Sequence, residues 1–267
     1  MTDPFAAEIE RLLGEAAERC GTDERAWAHF LGGLPAPVRR ALVEDWSWQA
    51  HGGQREPAST ESGGEWSVWL LMAGRGFGKT RAGAEWVWAR ARETPGARIA
   101  LVGGSRDDVA KVMIEGQSGL LRVARTGEEP AWRPSLGVLR FGNGAEAFVY
   151  SAEAPEGLRG PEHHFAWADE LAKWGRPSMY GRPGPGSARA EAAWDNLMMG
   201  LRLGDRPQCM VTTTPRPVPL LRRVIALQGT VMTRGRMDEN VHLPPAFVEH
   251  MRSMYGGGPP APPPPER

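Results

Sequence analysis

The sequence is short of several features that would place a protein in a familiar class. It has only two cysteines, Cys20 and Cys209, without metal-type spacing, which argues against a disulfide scaffold or a cysteine-ligated metal site. It has no apolar run of membrane-spanning length, and its acidic, mixed N-terminus lacks a signal-peptide pattern. We therefore expect a soluble, cytoplasmic protein without membrane contacts.

The chain also lacks net charge, because 32 basic residues balance 32 acidic ones. A free-standing DNA-binding domain commonly has a basic excess, which is missing here. Any nucleic-acid contact must then come from local arginine clusters or from several subunits acting together. With 267 residues, of which 41% are hydrophobic, the chain can bury the core of one large α/β domain or slightly more.

Hydrophobic periodicity divides the chain into three parts. Residues 1–45 repeat apolar positions at helical spacing and predict a small N-terminal helical region. Residues 46–255 alternate apolar, β-branched runs with helical patterns, which is typical of a parallel sheet covered by helices on both faces. Within this part, Val138–Ser151 predicts a hairpin around a Gly-Asn-Gly turn. Residues 256–267 predict a disordered, proline-rich tail.

The most informative stretch is Trp69–Trp88, which reads as a strand, a glycine-rich loop and a helix. The loop fits the phosphate-binding pattern G-x-x-x-x-G-K-[ST], except that Ala73 replaces the first glycine. Lys79 would reach the β- and γ-phosphates, and the Thr80 hydroxyl would bind Mg²⁺, so ATP and Mg²⁺ are the expected cofactors. The plainer interpretation is a glycine turn before a surface helix. The predicted ATP-binding residues of this loop are Gly74, Arg75, Gly76, Phe77, Gly78, Lys79 and Thr80.

A second candidate feature is Asp169-Glu170, which follows the apolar run Phe165-Ala166-Trp167-Ala168. Asp169 would bind Mg²⁺, and Glu170 would be the base that activates the attacking water. Adjacent residues of a strand point to opposite sides, so the two carboxylates would divide these roles. Taken alone, the pair is more typical of a helix N-terminus, and its place in a sheet that already carries a phosphate loop favours the catalytic interpretation.

Two weaker features complete the candidate site. Thr212, Thr213 and Thr214 end an apolar strand before a proline, where their hydroxyls would sense the γ-phosphate, although a strand running into a turn explains them equally well. Gln54 lies in a polar linker upstream of the loop, where it would read the edge of the adenine or be an ordinary solvated residue.

Together these motifs resemble the ATPase half of a terminase large subunit, the DNA-packaging motor of tailed phages and phage-derived gene transfer agents. The matching segments appear in the family's order over residues 45–255. They are GRGFGKTRAGAEWV (74–87), EGLRGP (156–161), AWADELAKW (166–174), AWDNLMMGLRLG (193–204) and VTTTPRP (211–217).

The resemblance implies a P-loop NTPase fold of the ASCE type, with a mostly parallel sheet flanked by helices. It makes Gly74–Thr80 the Walker A loop, Asp169-Glu170 the Walker B pair and Thr212–Thr214 the coupling motif. It places Gln54 in the adenine-reading segment. It also identifies Arg159 as a catalytic arginine that would act on the nucleotide of a neighbouring subunit.

The implied activity is ATP hydrolysis that drives double-stranded DNA into a capsid. The implied partners are the portal protein, the small terminase subunit and further copies of this chain in a ring, transiently at the procapsid portal. The family continues into an RNase H-like nuclease, whereas this sequence ends in a proline tail, so we expect no nuclease activity and a truncated, split or frameshifted copy. Gly175–Arg189 resembles an insertion.

Two other functions fit parts of this pattern. A nucleic-acid-stimulated ATPase like the superfamily 2 helicases shares the phosphate loop, the Asp-Glu pair and a threonine-rich motif, but no motif with paired arginines follows here. The other is a remnant that only binds nucleotide or an assembly partner.

Overall fold

The computed structural model describes residues 4–21, 23–174, 185–240, 242–243, 248–250 and 253, and these divide into two compact units, Met1–Ala50 and His51–Arg267. The predicted tail at 256–267 and most of the predicted insertion at 175–189 lie outside the described residues.

The first unit is helical. The Asp23 side chain caps its second helix by accepting hydrogen bonds from two backbone N–H groups, as its position before an apolar helical pattern predicts. The helices of this unit are α1 (Pro4–Cys20), α2 (Glu24–Gly33), α3 (Ala36–Glu44) and α4 (Trp46–Gln49).

The second unit is built on one eight-stranded sheet with the order β3-β4-β5-β2-β6-β7-β1-β8. Its strands are β1 (Val68–Ala73), β2 (Arg98–Gly103), β3 (Ala131–Arg133), β4 (Val138–Arg140), β5 (Glu146–Ser151), β6 (Phe165–Asp169), β7 (Gln208–Thr213) and β8 (Thr230–Gly235). Among the described strands, only the β3–β4 and β4–β5 pairs are antiparallel, so the predicted mostly parallel sheet and its β4–β5 hairpin are confirmed.

The helices of this unit are α5 (Lys79–Glu93), α6 (Arg106–Asp108), α7 (Pro185–Gly200) and α8 (Pro219–Ile225). Helix α5 packs closely on the sheet, because a Cβ atom on Gly83 would lie 2.2 Å from the Trp167 ring. Helix α6 begins with Ser105 as its cap, but after one turn it becomes a π-helical segment, Val109–Ile114. Such segments are frequent at functional sites.

The chain that leads into β6 sets the C-terminal end of helix α7. The helix ends at Gly200, whose carbonyl accepts a hydrogen bond from the His163 N–H, and a Cβ there would lie 2.7 Å from the Pro161 carbonyl. The chain leading into β6 therefore stops the helix. Among the described residues, no helix is long and apolar enough to cross a membrane.

Candidate functional site

The register of the sheet brings the candidate residues to one edge. Strand β7 lies between β1 and β6, with Thr213 paired to Met72 and Thr212 paired to Asp169. All three strands run in the same direction, so their carboxyl ends meet. In open α/β sheets ligands bind at this edge.

The glycine loop after β1 has the backbone that its sequence predicts. Gly76 and Gly78 have φ angles of 78° and 94°, a region that side chains disfavour. The Phe77 side chain is fully buried, and a Cβ on Gly235 would lie 1.8 Å from its ring. Only the Phe77 backbone therefore faces the phosphate side of the loop.

Lys79 begins helix α5 and is almost fully buried. Its Nζ donates hydrogen bonds to the carbonyls of Ala73 (3.1 Å) and Gly74 (3.0 Å) and lies 3.8 Å from Glu170 Oε1. Burial lowers the pKa of Lys79, and the Glu170 and Asp169 carboxylates oppose that shift. The ammonium is thus held where anionic oxygens of a ligand would meet it.

Asp169 is buried at the end of β6. Its Oδ1 accepts a 2.6 Å hydrogen bond from the Thr212 hydroxyl, which itself accepts one from Trp167 Nε1 at 2.8 Å. Burial raises the pKa of Asp169 to about 6, opposed by the Thr212 hydrogen bond, while Glu170 raises it further. Thr212 therefore fixes this carboxylate and favours its ionised form.

Glu170 is the only non-glycine residue with a positive φ angle in the described part of the chain, at 48°. Its carboxylate accepts hydrogen bonds from the Thr214 hydroxyl (3.2 Å) and the Thr214 N–H (3.3 Å), and Lys173 Nζ lies 3.6 Å away. Glu170 no longer has strand geometry. The left-handed turn at Glu170, rather than the alternation of side chains along a strand that the sequence predicts, therefore separates the two carboxylates. A left-handed non-glycine residue costs about 1 kcal/mol and is typical of functional sites.

The three threonines have different surroundings. Thr212 contacts Asp169, and Thr214 contacts Glu170 and lies 3.4 Å from Lys79 Nζ. The Thr213 hydroxyl is fully buried and accepts a hydrogen bond from the Ala172 N–H. Thr214 is thus the member placed next to the charged groups.

A cleft of about 550 Å³ opens over these groups. Thr80, Asp169 and Glu170 line it together, and hydroxyl and carboxylate oxygens suit Mg²⁺. No group of three or more His, Cys, Asp or Glu residues that could hold a metal occurs among the described residues.

Of the predicted site residues, only Thr80, Asp169 and Glu170 line the cleft, and three of the others have surroundings of their own. Gln54 is buried, and its amide donates to the Gly78 carbonyl at 3.1 Å. Arg75 is exposed. Arg159 has 76% of its side chain exposed and lies 3.6 Å from Glu156, outside the cleft of its own chain.

Sequence reasoning missed several residues at the site. Lys173 and Arg216 line the cleft, and His51 and Asn240 contact the glycine loop. Lys173 lies three residues after Glu170, a spacing that could have indicated a contact across the turn. His51 and Asn240 carry no sequence signal, because each depends on how a distant segment folds back.

Comparisons with known proteins agree with the fold. Residues 70–179 match the family described as terminase large subunit, T4likevirus-type, N-terminal. The predicted terminase resemblance is confirmed. The matched segment contains the phosphate loop of the terminase-like chain and its Asp169-Glu170 pair. No curated protein matches the chain in sequence.

Solved structures of large terminases share the fold. The large terminase of a thermophilic bacteriophage, in complex with ADP, superposes with a TM-score of 0.54 at 14% identity, covering 82% of this chain and 50% of that one. The ATPase domain of the Thermus phage P74-26 large terminase gives 0.50 at 15% identity, covering 83% and 97%. The chain therefore spans about half the length of the first of these proteins, and the predicted P-loop fold is confirmed.

Proposed function

We propose that this chain is the ATPase part of a terminase large subunit, which hydrolyses ATP to move double-stranded DNA. The observation that carries the proposal is the meeting of Lys79, Asp169 and Glu170 at one edge of the sheet. A buried cation and two carboxylates beside a glycine loop suit phosphoryl transfer to water, where catalysis is mainly positioning and charge stabilisation.

Binding of the nucleotide falls to the loop and its lysine. The backbone N–H groups of residues 74–80 and the positive end of helix α5 would hold the phosphates. Lys79, already confined by two carbonyls, would contact the β- and γ-phosphates. Exposed Arg75 would add a second cation at the outer side of the loop.

Thr80 and Asp169 would hold Mg²⁺ through a hydroxyl and a carboxylate oxygen. When bound, Mg²⁺ neutralises charge on the β- and γ-phosphates. Because burial raises the pKa of Asp169 to about 6, its carboxylate is ionised above that pH and protonated below it. Metal binding should therefore fail as the pH falls through about 6.

Glu170 would take the proton of the attacking water. Its carboxylate is already oriented by the hydroxyl and the N–H of Thr214, so one group links the base to strand β7. Loss of the γ-phosphate would change the charge around Thr214. Because Thr214 directly follows β7, that change would be transmitted to this strand. In this proposal Thr212 and Thr213 support the two carboxylates and the turn after them.

The proposed partners follow from the family. They are double-stranded DNA, a portal protein, a small terminase subunit and other copies of this chain in a ring at the procapsid portal. Arg159, exposed and outside its own cleft, is available to the nucleotide of a neighbouring copy. DNA contacts through phosphates would weaken steeply with added salt.

The test is steady-state ATP hydrolysis by the purified chain, with and without double-stranded DNA, at two salt concentrations. We expect hydrolysis that DNA stimulates, with the stimulation lost at high salt. Hydrolysis that DNA never stimulates, even with portal protein present, would contradict the motor role. An absence of hydrolysis under all conditions would contradict the enzymatic role itself.

A further inference from the structure

Side chains hold three successive carbonyls of the glycine loop from outside it. Asn240 Nδ2 donates to the Gly76 carbonyl at 2.6 Å, His51 Nε2 lies 3.0 Å from the Phe77 carbonyl, and Gln54 Nε2 donates to the Gly78 carbonyl at 3.1 Å. Two of these donors precede β1, and the third follows β8, at the other end of the unit.

Each of these hydrogen bonds fixes the direction of a backbone N–H. In a planar trans peptide the carbonyl of one residue and the N–H of the next point in opposite directions. Holding the carbonyls of Gly76, Phe77 and Gly78 outward therefore turns the N–H groups of Phe77, Gly78 and Lys79 towards the inside of the loop. Those N–H groups are the ones that a phosphate needs.

The donors themselves are fixed. The Asn240 Oδ1 accepts the His242 N–H at 3.0 Å, so its Nδ2 must face Gly76. A carbonyl has no proton to give, so His51 Nε2 carries the hydrogen, and its ring packs edge-on against Phe77 with centroids 4.5 Å apart. The loop is also closely packed at Gly76, because a Cβ atom there would lie 3.0 Å from Met237 Cγ.

We propose that His51 and Asn240 are positioning residues of the nucleotide site, which hold the phosphate-binding N–H groups in their binding direction. The inference rests on the proposed nucleotide binding and deepens it. It assigns a role in ligand affinity to the turn at Met237–Glu239 and to Asn240 directly after it, which lie beyond every strand of the sheet.

The chain offers a matched control for Asn240. Asn143 donates from Nδ2 to the Ala91 carbonyl at 2.6 Å and accepts the Ala145 N–H on Oδ1 at 3.2 Å. Asn240→Asp and Asn143→Asp make the same chemical change: each keeps the acceptor oxygen, removes the donor and adds one negative charge, whereas His51→Phe removes a donor without adding charge. Only one of the two changes faces the glycine loop.

The experiment is calorimetric titration of the full chain with ADP and Mg²⁺, together with thermal melting of the ligand-free variants. We expect Asn240→Asp to weaken ADP binding about 3- to 10-fold, the size of one lost hydrogen bond, and Asn143→Asp to change it less than about 2-fold. His51→Phe, which keeps the ring and loses the donor, should weaken ADP binding about 3-fold.

The possible outcomes distinguish the positioning role from the proposed nucleotide binding on which it rests. Equal ADP affinities for Asn240→Asp and Asn143→Asp, with a wild-type protein that binds ADP, would overturn the positioning role and leave the proposed function standing. Should Asn240→Asp not fold, unchanged binding by His51→Phe would overturn it. A wild-type chain that binds no ADP would overturn both.

Discussion

The two sides of the site are held in different ways. On the carboxylate side, Asp169 and Glu170 contact Thr212 and Thr214, residues of the neighbouring strand or its continuation. On the loop side, the carbonyls of Gly76, Phe77 and Gly78 accept hydrogen bonds from side chains far away in sequence. One side is thus assembled by strand register, and the other by segments from both ends of the unit.

The difference follows from the residues each side can use. A strand end presents side chains that contact their register partners, and a buried carboxylate needs such partners because an unpaired buried charge is costly. A glycine loop has almost no side chains, so its peptide groups must be held by others. The freedom that lets Gly76 and Gly78 adopt positive φ would otherwise leave several loop conformations open.

The largest effect should come from the residue that joins both sides. Lys79 contacts loop carbonyls and Glu170, so Lys79→Ala should reduce the ATPase rate ~10²–10³-fold, as expected when one preorganised charged group is lost. Lys111→Ala is the control, because Lys111 is exposed and its ammonium pairs with Asp107, which is not a candidate site residue. Equal steady-state rates for the two variants would remove Lys79 from the site.

The next effect tests the packing behind both sides. Gly83→Ala places a methyl group 2.2 Å from Trp167, the residue that orients Thr212, and should destabilise the fold by about 3 kcal/mol. Gly14→Ala, also in a helix but with no atom within 4 Å, is the control and should be neutral or slightly stabilising. Urea unfolding measures both, and equal midpoints would show that α5 shifts freely on the sheet.

On the carboxylate side, the contribution of Asp169 to the free energy of unfolding depends on pH. Folding raises the pKa of Asp169 to about 6, so its protonated form stabilises the fold at low pH, and that stability is lost as the pH rises through about 6. Asp169→Asn should therefore raise the free energy of unfolding by about 3 kcal/mol at pH 8, without metal, and by little at pH 4. A constant difference across that range would contradict the assignment.

The smallest effect is expected at a residue outside both sides. Arg159 forms an exposed contact with Glu156, so Arg159→Ala should change the free energy of unfolding of the isolated chain by less than about 1 kcal/mol. Its ADP affinity should equal that of the wild type in the same titration. A clear loss of ADP binding by the isolated variant would place Arg159 in its own cleft and not a neighbour's.

The contrast between the two sides also explains which parts of the site can be predicted from the sequence. Apolar runs ending in Asp169-Glu170 and Thr212–Thr214 predict the parallel core and its polar edge, because strand periodicity and strand ends are local features. The left-handed turn at Glu170 could not be read from the sequence, since it depends on where Thr214 lies. The contact between Gln54 and Gly78 could not be read from the sequence either.

The most direct test of the account compares ATP binding with ATP hydrolysis in Glu170→Gln. If Glu170 is the base on the carboxylate side and the loop binds separately, this variant should bind ATP within about 3-fold of the wild type and hydrolyse it ~10²–10³-fold more slowly. Hydrolysis at the wild-type rate, or loss of binding together with hydrolysis, would contradict the division of the site into a binding side and a catalytic side.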